Sequence, residues 1–181
     1  MMDNFDKIEN HKKFRKIDGR GIQTLFRTLS RNHYNLLKMV DNKAGILITI
    51  NSVIISLLMG VLFIGATTDK GTIEVNQIKF FIVSCVLSMT IAVISMLPYR
   101  YMGKQFKNSG YKGTLYAQNF SKMKLVDFRS SLYVIMDSGY NLYDEMINDL
   151  YFLGRYITYK QHLVMVSFLV FIVGMIGTLI L

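Results

Sequence analysis

The stretch Arg27-Thr-Leu-Ser-Arg-Asn-His-Tyr-Asn-Leu-Leu-Lys-Met-Val-Asp-Asn-Lys-Ala-Gly-Ile-Leu-Ile-Thr-Ile-Asn51 decides the fold. It contains no Pro and passes from a charged half into an uncharged half while keeping a helical pattern, so it reads as one helix crossing from water into lipid. Ile22, Leu25, Leu29, Leu36 and Val40 recur at spacings of three, four and seven and share one face, whereas Arg27, Arg31, Tyr34, Lys38 and Asp41 share the opposite one. Burying the apolar face places Asn32, His33 and Lys43 on or beside it, and Asn51 follows it into the membrane.

Downstream, the uncharged run Ala44 to Ile64 has 21 residues, enough at about 1.5 Å per residue to cross a hydrocarbon layer of roughly 30 Å. Ser52, Ser56 and Gly60 stand four apart within it, a small-residue stripe that lets another helix approach closely. Gly65 to Lys79 reads as a short external loop. A second uncharged run of 18 residues, Phe80 to Leu97, stops at Pro98 and carries its own stripe of Ser84, Ser88, Ala92 and Ser95. Phe80, Phe81, Tyr99 and Tyr101 flank it where interfacial aromatics sit. After a polar, Gly-containing loop at Lys104 to Gly113, Leu125, Phe128, Leu132 and Ile135 recur at helical spacing, as do Leu142, Met146, Leu150 and Leu153. Two amphipathic helices follow, separated at Ser138-Gly139. The second continues into a last apolar run of 19 residues, Leu163 to Leu181.

Upstream, residues 1–21 form a basic polar arm with Lys12, Lys13, Arg15, Lys16 and Arg20, of the kind that faces solvent or headgroups. The first apolar run begins after more than forty mostly polar residues, so no cleavable signal peptide is expected. Lys and Arg number ten before Ala44, two in Gly65 to Lys79 and nine from Arg100 to Gln161, which puts the N-terminus and the middle segment in the cytoplasm. The expectation is an all-α membrane protein of three transmembrane helices at about 44–64, 80–98 and 163–181. Helical cytoplasmic extensions, including a segment at about 113–160, form a cap on it.

The composition agrees: half the residues are hydrophobic although the formal net charge is +9, and the single Cys85 lies in an apolar run without a disulfide partner. His11, His33 and His162 are too scattered for a metal pair, and no phosphate loop or nucleophile elbow occurs. Asp144, Glu145 and Asp149 read as a solvated helix face. Catalysis, a metal and a cofactor are therefore not expected, and no nucleic-acid partner is expected. More informative are the polar groups in apolar settings, which are costly unless paired. Asn51 is read either as an interhelical hydrogen bond or as part of a polar path, with Ser52 and Ser56 beside it. Lys43 is read as snorkelling to headgroups, pairing with Asp41 or meeting a ligand phosphate. Arg27 and Arg31, one turn apart, can clamp an anion.

These residues also carry a resemblance. Phe26-Arg-Thr-x-x-Arg31-Asn32-His33, then Asp41-Asn42-Lys43-Ala44-x-Ile-Leu-Ile-x-Ile-Asn51 with Ile54-Ile55-Ser56, resembles the signature of the Pycsar membrane effector family. So do Asn119-Phe120 with Met123 and Phe128, Tyr143-Asp-x-Met146, Asp149-Leu150-Tyr151-Phe-Leu153-Gly154, and a closing helix with Phe171 and Gly174. The resemblance runs from about residue 22 to the end and implies a domain over 22–181. It implies a bacterial antiphage effector of the inner membrane, in which a neighbouring pyrimidine cyclase, a functional and not a physical partner, makes cyclic UMP or cyclic CMP. The effector responds by impairing membrane integrity. Arg27, Arg31, Asn32, Asp41, Asn42, Lys43 and Asn51 are carried over as motif positions, the first six as candidate nucleotide ligands, and a homo-oligomer in the lipid bilayer is implied. Some relatives carry an HD phosphohydrolase domain, whose His and Asp metal site is missing from this sequence, so that activity is not carried over. A membrane-anchored scaffold and a constitutive small channel subunit remain as alternatives.

Overall fold

The computed structural model describes residues 19–67, 75–97, 120–121, 123–137 and 139–180. The basic arm through residue 18, Pro98 with Tyr99 and Tyr101, the expected loop at Lys104 to Gly113, Asn119 and Ser138 lie outside them. Among the described residues the structure is all helical, with α1 at Gly19–Thr67, α2 at Val75–Met96, α3 at Leu125–Asp137 and α4 at Gly139–Ile180. Three of these, α1, α2 and α4, are long and apolar enough to cross a membrane.

Two helices outrun the expected loop between the first and second spans. α1 continues to Thr67 and α2 begins at Val75, before the expected Phe80, because Ile78 is buried and opens the packing face of α2. At its other end α2 stops at Met96, where the Leu97 N–H donates to the Ile94 carbonyl at 3.2 Å and tightens the last turn. The next residue is Pro98, which disfavours the helical region for the residue before it. Among the described residues the two amphipathic helices are separate elements, α3 ending at Asp137 and α4 starting at Gly139.

The chain divides into two compact units. Unit 1 comprises residues 1–34 and 113–150. Its described part holds the start of α1, all of α3 and the start of α4. Phe26 is buried and stacks on Tyr143, ring centroids 5.7 Å apart at 16°. Ile135 is buried on α3, and Phe128 meets Phe120 at 4.9 Å. Asp127 sits in the first turn of α3, where its charge opposes the positive end of the helix dipole.

Here the expected face of α1 needs correction. Leu25 and Leu29 are exposed, and the buried side is reached instead by Phe26, followed by the partly buried Ser30 and His33. The expected face is turned by about one residue from the observed one because Ile22, Leu25 and Leu29 and the set Ile22, Phe26, Ser30 and His33 are both helical spacings.

Unit 2 comprises residues 35–112 and 151–181 and is a bundle of three helices. Each presents a seam in alternating steps of three and four. On α1 it is Leu37, Val40, Ala44, Leu47 and Asn51; on α2, Ile78, Phe81, Cys85, Ser88, Ala92 and Ser95; on α4, Leu153, Ile157, Lys160, Val164, Ser167, Phe171 and Gly174. That spacing averages 3.5 residues, the repeat that keeps a packing stripe facing its neighbour over several turns. Contacts rise together in number along α1 and α4, from Asp41 with Lys160 to the level of Asn51 and Ser167, so these helices run parallel. α2 runs against them, with Ser88 beside Ser167 and Ser84 beside Val170.

α2 and α4 approach closely. A Cβ at Gly174 would collide with the Ser84 side chain, and one at Gly177 would come within 2.9 Å of the Phe80 ring. Glycine at these positions lets the backbone of α4 lie against side chains of α2. The stripe of Ser84, Ser88, Ala92 and Ser95 is buried. Ser52, Ser56 and Gly60 are exposed, and nothing lies within 4 Å of a Cβ built at Gly60, so this second stripe does not pack within unit 2.

Candidate functional site

Asn51, Ser88 and Ser167 are fully buried and meet where the three helices of unit 2 converge. Asn51 Nδ2 donates to the Leu47 carbonyl at 2.9 Å and to Ser88 Oγ at 3.1 Å. Ser88 Oγ donates to the Ser167 carbonyl at 2.9 Å, and Ser167 Oγ donates to the Ser88 carbonyl at 2.7 Å. One polar cluster thus links α1 to α2 through the Asn51 carboxamide and α2 to α4 through hydroxyls that reach each other's backbone carbonyls. Asn51 Oδ1 accepts no hydrogen bond. In an apolar surrounding such an acceptor is costly, so the cluster joins the helices without being fully satisfied.

Ten residues earlier on α1, about 15 Å along the axis, Asp41 Oδ1 accepts from Lys160 Nζ at 2.5 Å. The ammonium also lies 5.1 Å from the Tyr156 ring centroid, and Tyr156 Oη donates to the Leu97 carbonyl at 2.9 Å. Lys160 is therefore held by a carboxylate from α1 and an aromatic face on its own helix, while that aromatic side chain secures the end of α2. The apolar core of Val40, Ala44, Leu47, Leu153, Ile157 and Val164 surrounds the ion pair, and Ala44, Leu47 and Val164 separate it from the Asn51 cluster. These side chains fill the seam and keep water from the Asn51 cluster and from Lys160, while Asp41 stays partly exposed.

The residues singled out from sequence fall into two groups. Arg27, Arg31 and Asn32 belong to unit 1 and are exposed, which leaves their donors open to solvent. His33, beside them, is partly buried, and its Nδ1 has no hydrogen-bond partner. Asp41, Asn42, Lys43 and Asn51 belong to unit 2. Asn42 and Lys43 are exposed, and Asp41 pairs with Lys160 rather than with Lys43 or the exposed charged face. Asp41 reaches across the seam to Lys160, whereas Lys43 points to a different side of α1. The Ser52 and Ser56 hydroxyls are returned to their own helix, to the Ile48 and Ser52 carbonyls at 2.8 and 3.0 Å.

Sequence alone does not mark Lys160, Ser88 and Ser167 as site residues. Ser88 was visible as part of a small-residue stripe, and the signal for the other two is positional. Lys160 lies between Ile157 and Val164 in the three-four seam and Ser167 between Val164 and Phe171, so a charge and a hydroxyl interrupt an otherwise apolar stripe. Among the described residues no three His, Cys, Asp or Glu side chains gather as metal ligands.

Three membrane-length helices define a multi-pass helical membrane protein, and the polar cluster, ion pair and exposed arginines are the features by which it differs from a plain anchor. The Pycsar effector protein domain matches residues 24–181, and the chain belongs to that family. Its role is in Pycsar antiphage defence, as a transmembrane effector in a system of cyclic-nucleotide signalling; the family is not one of known enzymes. Neither a curated protein nor a solved structure matches the chain.

Proposed function

We propose that the protein resides in the bacterial inner membrane with its N-terminus in the cytoplasm, senses a cyclic pyrimidine nucleotide, cyclic UMP or cyclic CMP, and responds by making the membrane leak. The supporting observation is that α1 and α4 are each one unbroken helix carrying both polar, charged turns and a membrane-length apolar segment. Whatever binds the polar turns acts on the same rods that cross the bilayer. The exposed Arg27 and Arg31 supply donors suited to a cyclic phosphate, and Asn32 and Asn42 supply groups for ribose or base edges. In this reading the effector domain comprises 22–181, and α3 and the start of α4 lie with the arginines on the cytoplasmic side.

Ligand shifts the population only if it binds the leaking form more tightly than the resting one. In this reading the resting form is the one held by Lys160 with Asp41 and by Asn51 with Ser88, and the leaking form is a homo-oligomer in which the spans are rearranged. A neighbouring pyrimidine cyclase supplies the signal without docking on the chain.

Dye-loaded liposomes carrying the correctly inserted protein test the proposal. Release on addition of cyclic UMP or cyclic CMP, and none without it, is the expected result. Nucleotide-independent release identifies a constitutive channel and overturns the reading. Absence of release with either nucleotide overturns it as well and favours a membrane-anchored scaffold.

A further inference from the structure

A groove of about 570 Å³ runs between α1 and α4, with its polar lining toward one end, beyond which only Met39 and Val40 of α1 continue, and with apolar lining along the rest. Its walls include Ile46, Ile50, Met165 and Phe168, and Lys43 and Gln161 line its polar end. Lys43 immediately precedes the uncharged run from Ala44, and Gln161 stands two residues before the run from Leu163. The change from polar to apolar lining therefore falls at the same level on both helices, the level at which a headgroup layer gives way to hydrocarbon. From Lys43 to Ile50 the apolar wall extends about 10 Å along the helix.

The charge at that end is uncompensated. The neighbouring carboxylate, Asp41, is committed to Lys160, and among the described residues no acidic group pairs with Lys43. An unpaired ammonium and a carboxamide above an apolar trough complement a phosphodiester headgroup with an acyl chain beneath it. The formal net charge of +9 likewise favours an anionic leaflet.

We infer that this groove binds an anionic phospholipid. Lys43 Nζ meets the phosphate, Gln161 donates to a headgroup or ester oxygen, and an acyl chain lies between Ile46 and Ile50 on one side and Met165 and Phe168 on the other. Lys43, grouped with the arginines by the family motif, then serves lipid and leaves nucleotide recognition to Arg27 and Arg31. A zwitterionic lipid offers the same chain but a net neutral headgroup, so selectivity rests on Lys43.

The sequence contains no Trp, so Phe168→Trp introduces a single fluorescent reporter at the apolar end of the groove. The full-length variant is placed in bilayers containing a fixed mole fraction of lipid brominated on its acyl chains, either phosphatidylglycerol or phosphatidylcholine. Brominated phosphatidylglycerol is expected to reach the reporter with about fivefold preference, and K43Q is expected to remove that preference. A control reporter, Leu87→Trp on the exposed side of α2, is expected to show none. If Phe168→Trp does not insert, Met165→Trp probes the same wall. Equal quenching by the two lipids, or a preference that survives K43Q, overturns the inference. A groove reporter that neither lipid reaches also overturns it and places a helix of a second copy there. No nucleotide enters the measurement, so failure here leaves the proposed nucleotide response untouched.

Discussion

Lys160 and Asp41 form an ion pair with unequal access to water: the Lys160 side chain is 4% exposed and the Asp41 side chain 37%. The carboxylate can be hydrated if its partner is lost, whereas the ammonium is enclosed by the seam and the Tyr156 ring. The two halves of the pair are therefore not equivalent to mutation.

Asp41→Asn is expected to destabilise the protein in detergent by about 3–5 kcal/mol, the usual cost of stranding a buried charge. Lys160→Met is expected to cost less, because Asp41 then turns to water and an apolar side chain of similar length fills the seam. The double variant recovers most of the loss of Asp41→Asn. Chemical unfolding of the four proteins checks this, and equal losses for the two single variants would show that the enclosure of Lys160 is not energetically felt.

Ser88→Ala removes the acceptor for Asn51 and a donor to Ser167, so it is expected to lower stability by about 1 kcal/mol, at roughly 0.6 kcal/mol per interhelical hydrogen bond in a membrane. Ser52→Ala and Ser56→Ala lose only bonds to their own helix and are expected to stay within about 0.5 kcal/mol of the parent. Parallel unfolding curves of the three variants separate the buried serine from the exposed ones.

How much of this was legible in the sequence differs between the bundle and its polar groups. Apolar runs of membrane length, the break near Ser138-Gly139 and the small-residue stripe of α2 are local patterns, and the helices follow them. The phase of α1 near Phe26 is not local: Leu25 and Phe26 both fit a helical stripe, and only the seam carried back from Asn51 through Leu47, Ala44 and Val40 selects Phe26. Lys160 at the edge of an apolar run resembles an ordinary snorkelling charge. Its carboxylate lies 119 residues away, so no spacing rule connects them. Asn51 stood out as the strongly polar residue within a span, but its partner on α2 required the antiparallel register of the helices.

Gly174→Ala is expected to destabilise the bundle by about 1–3 kcal/mol, as overpacking does, because the added methyl meets the Ser84 side chain and displaces its hydrogen bond to the Val170 carbonyl. Shortening the opposing side chain in Gly174→Ala with Ser84→Gly restores part of the loss. Gly60→Ala, with open space around it, is expected to be neutral or slightly stabilising. Thermal unfolding of these variants reads the difference, and a Gly174→Ala protein as stable as the parent would contradict the close approach.

Arg27→Ala and Arg31→Ala remove exposed charges and are expected to change stability by no more than about 0.5 kcal/mol. Each is expected to abolish nucleotide-triggered dye release while leaving insertion intact. Direct titration of labelled cyclic nucleotide against both variants distinguishes lost binding from lost response. Release at the parent level from both would remove the arginines from the ligand site.

The polar links of unit 2 also bear on how the protein is made. α4 supplies Lys160 to Asp41, Ser167 to Ser88, the Val170 carbonyl to Ser84 and Tyr156 to the end of α2, whereas α1 and α2 share the single described link from Asn51 to Ser88. During translation α1 and α2 reach the bilayer before α4 exists. Until then the Ser84 and Ser88 hydroxyls have carbonyls of their own helix to bond, as Ser52 and Ser56 do, and Asp41 lacks its counter-ion. Arrival of the final helix completes these links together, so integration of the third span is the step that converts an inserted chain into an assembled bundle.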